Sequence, residues 1–183
     1  MTITLSKIDP SRQSDVELFC RMYAAYEALL DSYSSVPFPA LQKDLPLDKQ
    51  IRNAKHWYLD RSDLLVNCYL IHCEDVDVPV GFIIVQTLIA RSQRPTLYVC
   101  EFGLLPEYRR LGIGQAVVKE LLRLYPYEHL FWYTIKGNAP ANAFWQHVVD
   151  DTDNRLNPEK RPDIRSEPDL IKWCFSRTVQ IEE

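Results

Sequence analysis

The chain has 183 residues and a formal net charge of -4, with 46% hydrophobic and 25% charged residues. That length suits one domain, residues 1–183, with a core large enough to need neither disulfides nor metals, and the balance excludes disordered, fibrous and collagen-like classes. An acidic chain lacks the basic surface that sequence-independent nucleic-acid binding requires, so no nucleic-acid partner is expected.

Five cysteines (Cys20, Cys68, Cys73, Cys100 and Cys174) form an odd set with no CxxC pair. Neither a disulfide framework nor a zinc site has that arithmetic, so reduced thiols and a cytoplasmic location are expected, with no metal. The first ten residues carry Lys7 and Asp9 and contain no signal-peptide apolar run. The longest apolar stretch, 76–90, is broken by Asp77, Pro79, Gln86 and Thr87 and falls short of the roughly 20 residues of a membrane span. No membrane partner is expected.

Residues 2–8 alternate as an opening strand. Ser14 and Glu17 have capping-box spacing, and Leu18, Phe19, Met22, Tyr23, Tyr26, Leu29 and Leu30 follow at helical intervals, a first helix ending before Pro37. Residues 36–46 hold three prolines and read as a loop, after which Ile51, Ala54, Tyr58 and Leu59 trace a second helical face. The β-branched and aromatic runs 65–73 and 78–89, joined by the acidic turn 74–77, predict an antiparallel hairpin. Strand 96–105 follows. Ile113, Ala116, Val117, Leu121 and Leu124 then share a helical face that Pro126 closes. A strand at 130–135, a helix at 138–149 and a final strand at 170–179 complete the order β, α, α, β, β, β, α, β, α, β. That order defines an α/β or α+β sheet.

The informative string is Glu101-Phe-Gly-Leu-Leu-Pro-Glu-Tyr-Arg-Arg-Leu-Gly-Ile-Gly114, a strand passing through Pro106 into a basic, glycine-bearing loop that opens a helix. Such a loop suits an anion. The first helical turn leaves amide N–H groups without intrahelical partners at the positive end of the helix dipole, where they can bind phosphate. Gly112 and Gly114 allow close backbone approach, while Arg109 and Arg110 add charge-assisted hydrogen bonds. A P-loop would need Lys and Ser or Thr after its last glycine, and here Gln115 and Ala116 follow Gly114. A dinucleotide fingerprint would need a third glycine where Val117 stands.

Arg109, Gly112 and Gly114 resemble instead the coenzyme A loop of the GNAT superfamily of N-acetyltransferases, whose pattern is Arg or Gln, two residues, Gly, one residue, then Gly or Ala. Phe102, Leu104 and Pro106 resemble the end of that family's fourth strand, and Asn138, Ala141 and Phe144 its second cofactor-side motif. The resemblance implies a mixed, mostly antiparallel sheet of six to seven strands flanked by about four helices, with the fourth and fifth strands splayed apart. It also implies that acetyl-CoA serves as co-substrate, held by Phe102, Gly103, Leu104, Arg109, Arg110, Leu111, Gly112, Ile113, Gly114 and Asn138. The acceptor would be a primary amine on a small molecule or peptide.

Glu101 is the candidate base. Strand alternation places it on the face of Leu97 and Val99, where desolvation raises a carboxylate pKa towards neutrality; the competing role is an ion pair with Arg91 or Arg94. Where many members of the family carry a tyrosine acid just after the Phe144 position, this chain has Trp145, so Tyr133 or a water must protonate the leaving thiolate. The same departure keeps open a catalytically weak acyl-CoA-binding or regulatory module.

Other features read as structure. Cys68 and His72 share a strand face while Cys73 points away, which does not make a metal site. His56, Trp57 and Tyr58 on the second helix could border a substrate pocket, but packing of an amphipathic helix is the favoured reading, and Cys100 reads as turned away from Glu101. Phe131, Trp132 and Tyr133 read as core strand. The acceptor is expected near Tyr26, Glu27, Tyr33 and Phe38, and the closing strand 170–179 is an edge on which a homodimer could pair.

Overall fold

The computed structural model describes residues 2–34, 44–61, 64–89, 95–125, 129–151, 156–162 and 169–177. Seven strands form one sheet in the order β1-β2-β3-β4-β5-β7-β6, comprising β1 (Ile3–Lys7), β2 (Val66–Cys73), β3 (Gly81–Ile89), β4 (Pro95–Leu104), β5 (His129–Ile135), β6 (Leu156–Pro162) and β7 (Leu170–Arg177). Only β4 and β5 run parallel; every other neighbouring pair is antiparallel. The helices are α1 (Gln13–Asp31), α2 (Leu47–Ala54), α3 (Ile113–Leu124) and α4 (Ala139–Asp151), and a π-helical turn, Lys55–Leu59, extends α2.

The sheet separates two cores. On one face Leu97, Val99, Ile83 and Val85 pack under α3 and α4 through Val117, Leu121, Trp145 and Val148. On the other, Cys68, Leu70, Phe82 and Ile84 meet Val16, Phe19, Cys20 and Tyr23 of α1 and Ala54 of α2. β3 is apolar at consecutive positions because helices cover both of its faces, so no polar face survives in its sequence.

Several local expectations are revised. The Ser14 and Glu17 pair does not form a capping box: α1 starts after Arg12 with no side-chain cap, Ser14 bonds Asp15, and Glu17 accepts from Gln13. Asp9 instead secures the preceding turn by accepting from the Ser11 amide and hydroxyl. β6 was not anticipated. Its sequence, Leu-Asn-Pro-Glu-Lys-Arg-Pro, lacks alternation, and two prolines are tolerable because it is an edge strand paired only with β7. The last strand is therefore no free edge, since β5 and β6 occupy both its sides. Most of the 36–46 loop, with Phe38, lies outside the described residues, as do Arg91, Arg94 and Pro126.

Candidate active site

The site grows from an irregularity in β4. In the β3–β4 ladder Ile84 pairs with Glu101 and Val85 with Val99, so Cys100 is an extra residue, a β-bulge. Before it Leu97 and Val99 face α3 and α4; after it Phe102 returns to that face, against Phe144 and Trp145. Glu101 is thereby turned to the α1 face. This overturns two expectations from simple alternation: Glu101 does not share a face with Leu97 and Val99, and Cys100, which packs with the α1 core, does not point away from Glu101.

The bulge also marks where β4 and β5 part. Their parallel pairing runs from Thr96 with His129 to Val99 with Trp132, while β4 continues to Leu104 and β5 to Ile135 beside β7. The splay expected from the resemblance is present. The Leu105 amide bonds the Val80 carbonyl on the β3 side, so alternation turns the backbone groups of Phe102 and Leu104 towards the open side. The Leu104 carbonyl accepts from Arg109 Nε at 2.8 Å.

Glu101 keeps part of its surface open to solvent, yet loss of surrounding water pushes its carboxyl pKa up to about 7. A hydrogen bond donated by Tyr26 opposes that rise and Glu27 adds to it. Arg91 and Arg94 being outside the described residues, the bonding partner seen here is this phenol. Tyr26 also accepts from the Phe102 amide, and its own ionisation is driven well above the ordinary range, first by burial and then by the Glu101 charge. The ring lies over Gly103, where an added Cβ would come within 3.2 Å of Tyr26 and 2.8 Å of Phe82.

Two cavities flank this dyad. One of about 200 Å³ runs beside Gly103, Leu104, Leu105 and Pro106 to Arg109, walled by Met22, Tyr26 and Leu29 of α1. The other, about 190 Å³, is lined by Tyr23 and Glu27 of α1, Gln50 and Asn53 of α2, and Trp57 and Tyr58 of the π turn. Tyr23 and Tyr58 join their hydroxyls at 2.9 Å, and burial followed by the Glu101 charge raises both phenols. Trp57 is 58% exposed. Trp57 borders this cavity instead of packing in the core, while Tyr58 packs against the α1 core as expected and lines the cavity as well.

At the far end of the first cavity, a short 3-10 turn (Pro106–Tyr108) leads into α3. Arg110 holds φ 63 and Gly112 φ 79, and α3 begins with no side-chain cap. The left-handed Gly112 leads directly into the first turn of α3, the positive end of the helix dipole, and a non-glycine residue such as Arg110 kept in the left-handed region costs about 1 kcal/mol. Gly114 has a packing role as well. It is buried, and an added Cβ would lie 2.7 Å from the Phe144 ring, so its missing side chain seats α4 against α3.

The remaining residues scatter. Arg109 and Arg110 are exposed beside the loop, Leu111 is 60% exposed, and the Ile113 side chain is in the core. Asn138 is buried and caps α4, its Oδ1 accepting from the Ala141 amide at 3.1 Å. Tyr133 stands on β5 among Tyr98, Phe131 and the Lys172 ammonium. Of the Phe131, Trp132 and Tyr133 run, only Trp132 is fully buried. Trp145 is buried with its ring 4.1 Å from that of Trp132. Burial pushes the Cys100 thiol up to about 12, which removes it as a nucleophile at neutral pH. Sequence reasoning missed the place of Tyr23 beside the cavity and the bond from Tyr26 to Glu101; the i, i+3 spacing of Tyr23 and Tyr26 reads equally well as core periodicity.

A mixed sheet opened between two parallel strands, with a phosphate-sized loop beyond the opening, defines an acyl-carrier-binding architecture. The profile of the acetyltransferase (GNAT) family matches residues 22–149, and the chain belongs to that family. Comparison with curated proteins by sequence gives no match. Among solved structures it is similar to an acetyltransferase from Thermus thermophilus, with TM-score 0.64, 16% identity, and 95% of this chain and 96% of that one covered. It is also similar to a ribosomal alpha-N-protein acetyltransferase in complex with coenzyme A (TM-score 0.61, 14% identity, 95% and 93% covered). A third is a spermidine N-acetyltransferase chimera from Vibrio cholerae and a human enzyme (0.61, 10%, 97% and 96%). Identities this low establish the shared fold and nothing about the acceptor.

Proposed function

We propose that this chain transfers an acetyl group from acetyl-CoA to a primary amine, on a small molecule or a peptide. The observation that carries the reading is the cavity running from Arg109 along Gly103, Leu104 and Leu105 to Tyr26, which bonds Glu101. Its chemistry fits the co-substrate. The uncapped start of α3, the left-handed Arg110 and Gly112, and the guanidinium groups of Arg109 and Arg110 suit a diphosphate. The bare Cα of Gly103, the Phe102 carbonyl and the Leu104 amide suit an extended amide-bearing arm.

Glu101 supplies the base. An ammonium must lose a proton before its nitrogen can attack a thioester, and a carboxylate with pKa about 7 accepts that proton near neutrality. The cavity bordered by Tyr23, Glu27, Trp57 and Tyr58 opens on the same α1 face and joins aromatic rings to a carboxylate, an environment that attracts a cationic amine. Cys20, Cys68, Cys73 and Cys100 are free thiols, in keeping with a reducing cytoplasm. Among the described residues no helix is long and apolar enough to cross a membrane.

A second reading, acyl-CoA capture without turnover, draws on Trp145, which is buried against Trp132 and offers no acid to a leaving thiolate. Both readings expect coenzyme A to raise the melting temperature. Release of free thiol from acetyl-CoA on addition of polyamines, amino acids, aminoglycosides or peptide N-termini separates them: stabilisation with no amine-dependent thiol sinks the transferase reading.

A further inference from the structure

Acetyl transfer leaves two proton problems at one place: nitrogen must shed a proton and the departing sulfur must gain one. α4 does not supply the second, because Trp145 is packed into the core and an indole N–H is not an acid at working pH. Tyr133 has its ring among Tyr98, Phe131 and Lys172 on β5. Tyr26 is placed differently. It lines the cavity that leads to Arg109, its ring rests over Gly103, and its hydroxyl lies between the Glu101 carboxylate and the Phe102 amide.

Resting on the acetyl-transfer reading, we infer that Tyr26 is the proton donor to the leaving thiolate and that Glu101 recharges it, so one hydrogen-bonded pair serves both ends of the reaction. The resting pair has the phenol donating to the carboxylate. The first proton leaves the ammonium for Glu101, which passes it on to solvent and is a carboxylate again before attack. The nitrogen then bonds the acetyl carbon, and its second proton passes to Glu101. A neutral carboxyl is a donor, so the shared bond reverses: Glu101 now donates to the Tyr26 oxygen, and the phenol O–H is released to turn towards the cavity. As the carbon–sulfur bond breaks and sulfur takes the electron pair, Tyr26 gives its proton to sulfur and receives the one held by Glu101. The carboxylate is restored. Net, one proton has moved from nitrogen to sulfur, and neither residue ends with a changed charge.

The Phe102 amide has a part in this. It donates to the Tyr26 oxygen throughout, which steadies the partial negative charge on that oxygen while its proton is in transit. The phenol never has to exist as a free phenolate, which its surroundings disfavour: burial, the Glu101 charge on β4 and Tyr58 of the π turn all oppose its ionisation.

The test compares Tyr26→Phe with unaltered protein, using the amine from the thiol-release panel that reacts fastest. The Phe ring keeps the packing on Gly103 and Phe82, and a melting curve verifies the fold. With acetyl-CoA, kcat should fall roughly 100-fold, within the range typical of a lost acid–base group. With 4-nitrothiophenyl acetate, whose thiolate leaves without help, the deficit should shrink to a few-fold. The acid limb of the pH profile should also move to higher pH, because a bond that favours the Glu101 carboxylate has gone. Wild-type kcat in Tyr26→Phe, or an equal deficit with both donors, overturns the inference and leaves the acetyl-transfer reading standing. So does leaving-group sensitivity that appears in Tyr133→Phe instead. Absence of amine-dependent release from the unaltered protein overturns both.

Discussion

The Tyr26 hydroxyl, carried by α1, donates to the Glu101 carboxylate on β4, so a helix and a strand whose residues stand 75 positions apart in the chain share one hydrogen-bonded pair. The bulge at Cys100 makes this meeting possible by turning Glu101 towards α1. With Glu101 as the proposed base, which must be ionised to act, activity should rise with pH through a midpoint near 7, the value to which desolvation raises that carboxyl. Glu101→Gln should lower kcat about 100-fold and abolish that limb. A pH–rate profile from pH 5.5 to 9 checks both, and an unchanged limb in the variant removes Glu101 from catalysis.

The same carboxylate weakens the fold. Its pKa is about 7 folded against an ordinary 4.5, so the folded state binds the proton more tightly. Stability is then fully present below about pH 4.5 and is lost as pH rises through 7. The difference corresponds to at most about 3 kcal/mol at alkaline pH, since one pKa step is about 1.36 kcal/mol. Glu101→Gln should therefore melt higher than the parent at pH 8, with a smaller gain at pH 5. Equal gains at both pH values would contradict the linkage.

Gly114→Ala should destabilise the protein by about 1 to 3 kcal/mol, since its Cβ would lie 2.7 Å from the Phe144 ring in a filled core. Adding Phe144→Leu, which withdraws the ring, should recover part of the loss. Chemical denaturation of the two single variants and the double variant gives the coupling, and strict additivity would mean the contact is not the cause.

Arg109→Ala should weaken coenzyme A binding about 10- to 100-fold, the worth of a charge-assisted hydrogen bond to phosphate. The guanidinium is exposed and its Nε bonds the Leu104 carbonyl, so melting should change little without ligand. Titration calorimetry at two salt concentrations measures the affinity and its electrostatic share.

Trp57→Ala should leave the melting temperature within about a degree of the parent, because a side chain 58% exposed contributes little packing. If the cavity it borders receives the amine, KM for the acceptor should rise several-fold while KM for acetyl-CoA holds. A shift confined to acetyl-CoA would place the acceptor elsewhere.

Much of this was legible along the chain. The runs 65–73 and 78–89 announce β2 and β3 because burial on both faces demands β-branched and aromatic residues. Arg109, Gly112 and Gly114 announce the loop because backbone approach and charge have few residue solutions. β6 was not legible: an edge strand is held through hydrogen bonds to a single neighbour, and the sequence Asn157, Pro158, Glu159, Lys160, Arg161 carries no alternation that would mark it.

By itself the sequence determined the elements from β1 to α4 and β7, their amphipathic faces and the glycine-bearing loop that opens α3, all set by interactions among residues close in the chain. Only the tertiary structure decided which way Glu101 points, which phenol bonds it, and that Gly114 makes room for Phe144. The bulge at Cys100 arises from pairing with β3, and the Tyr26 contact from docking α1 on the sheet. Both depend on residues distant in sequence, whose meeting no local propensity encodes.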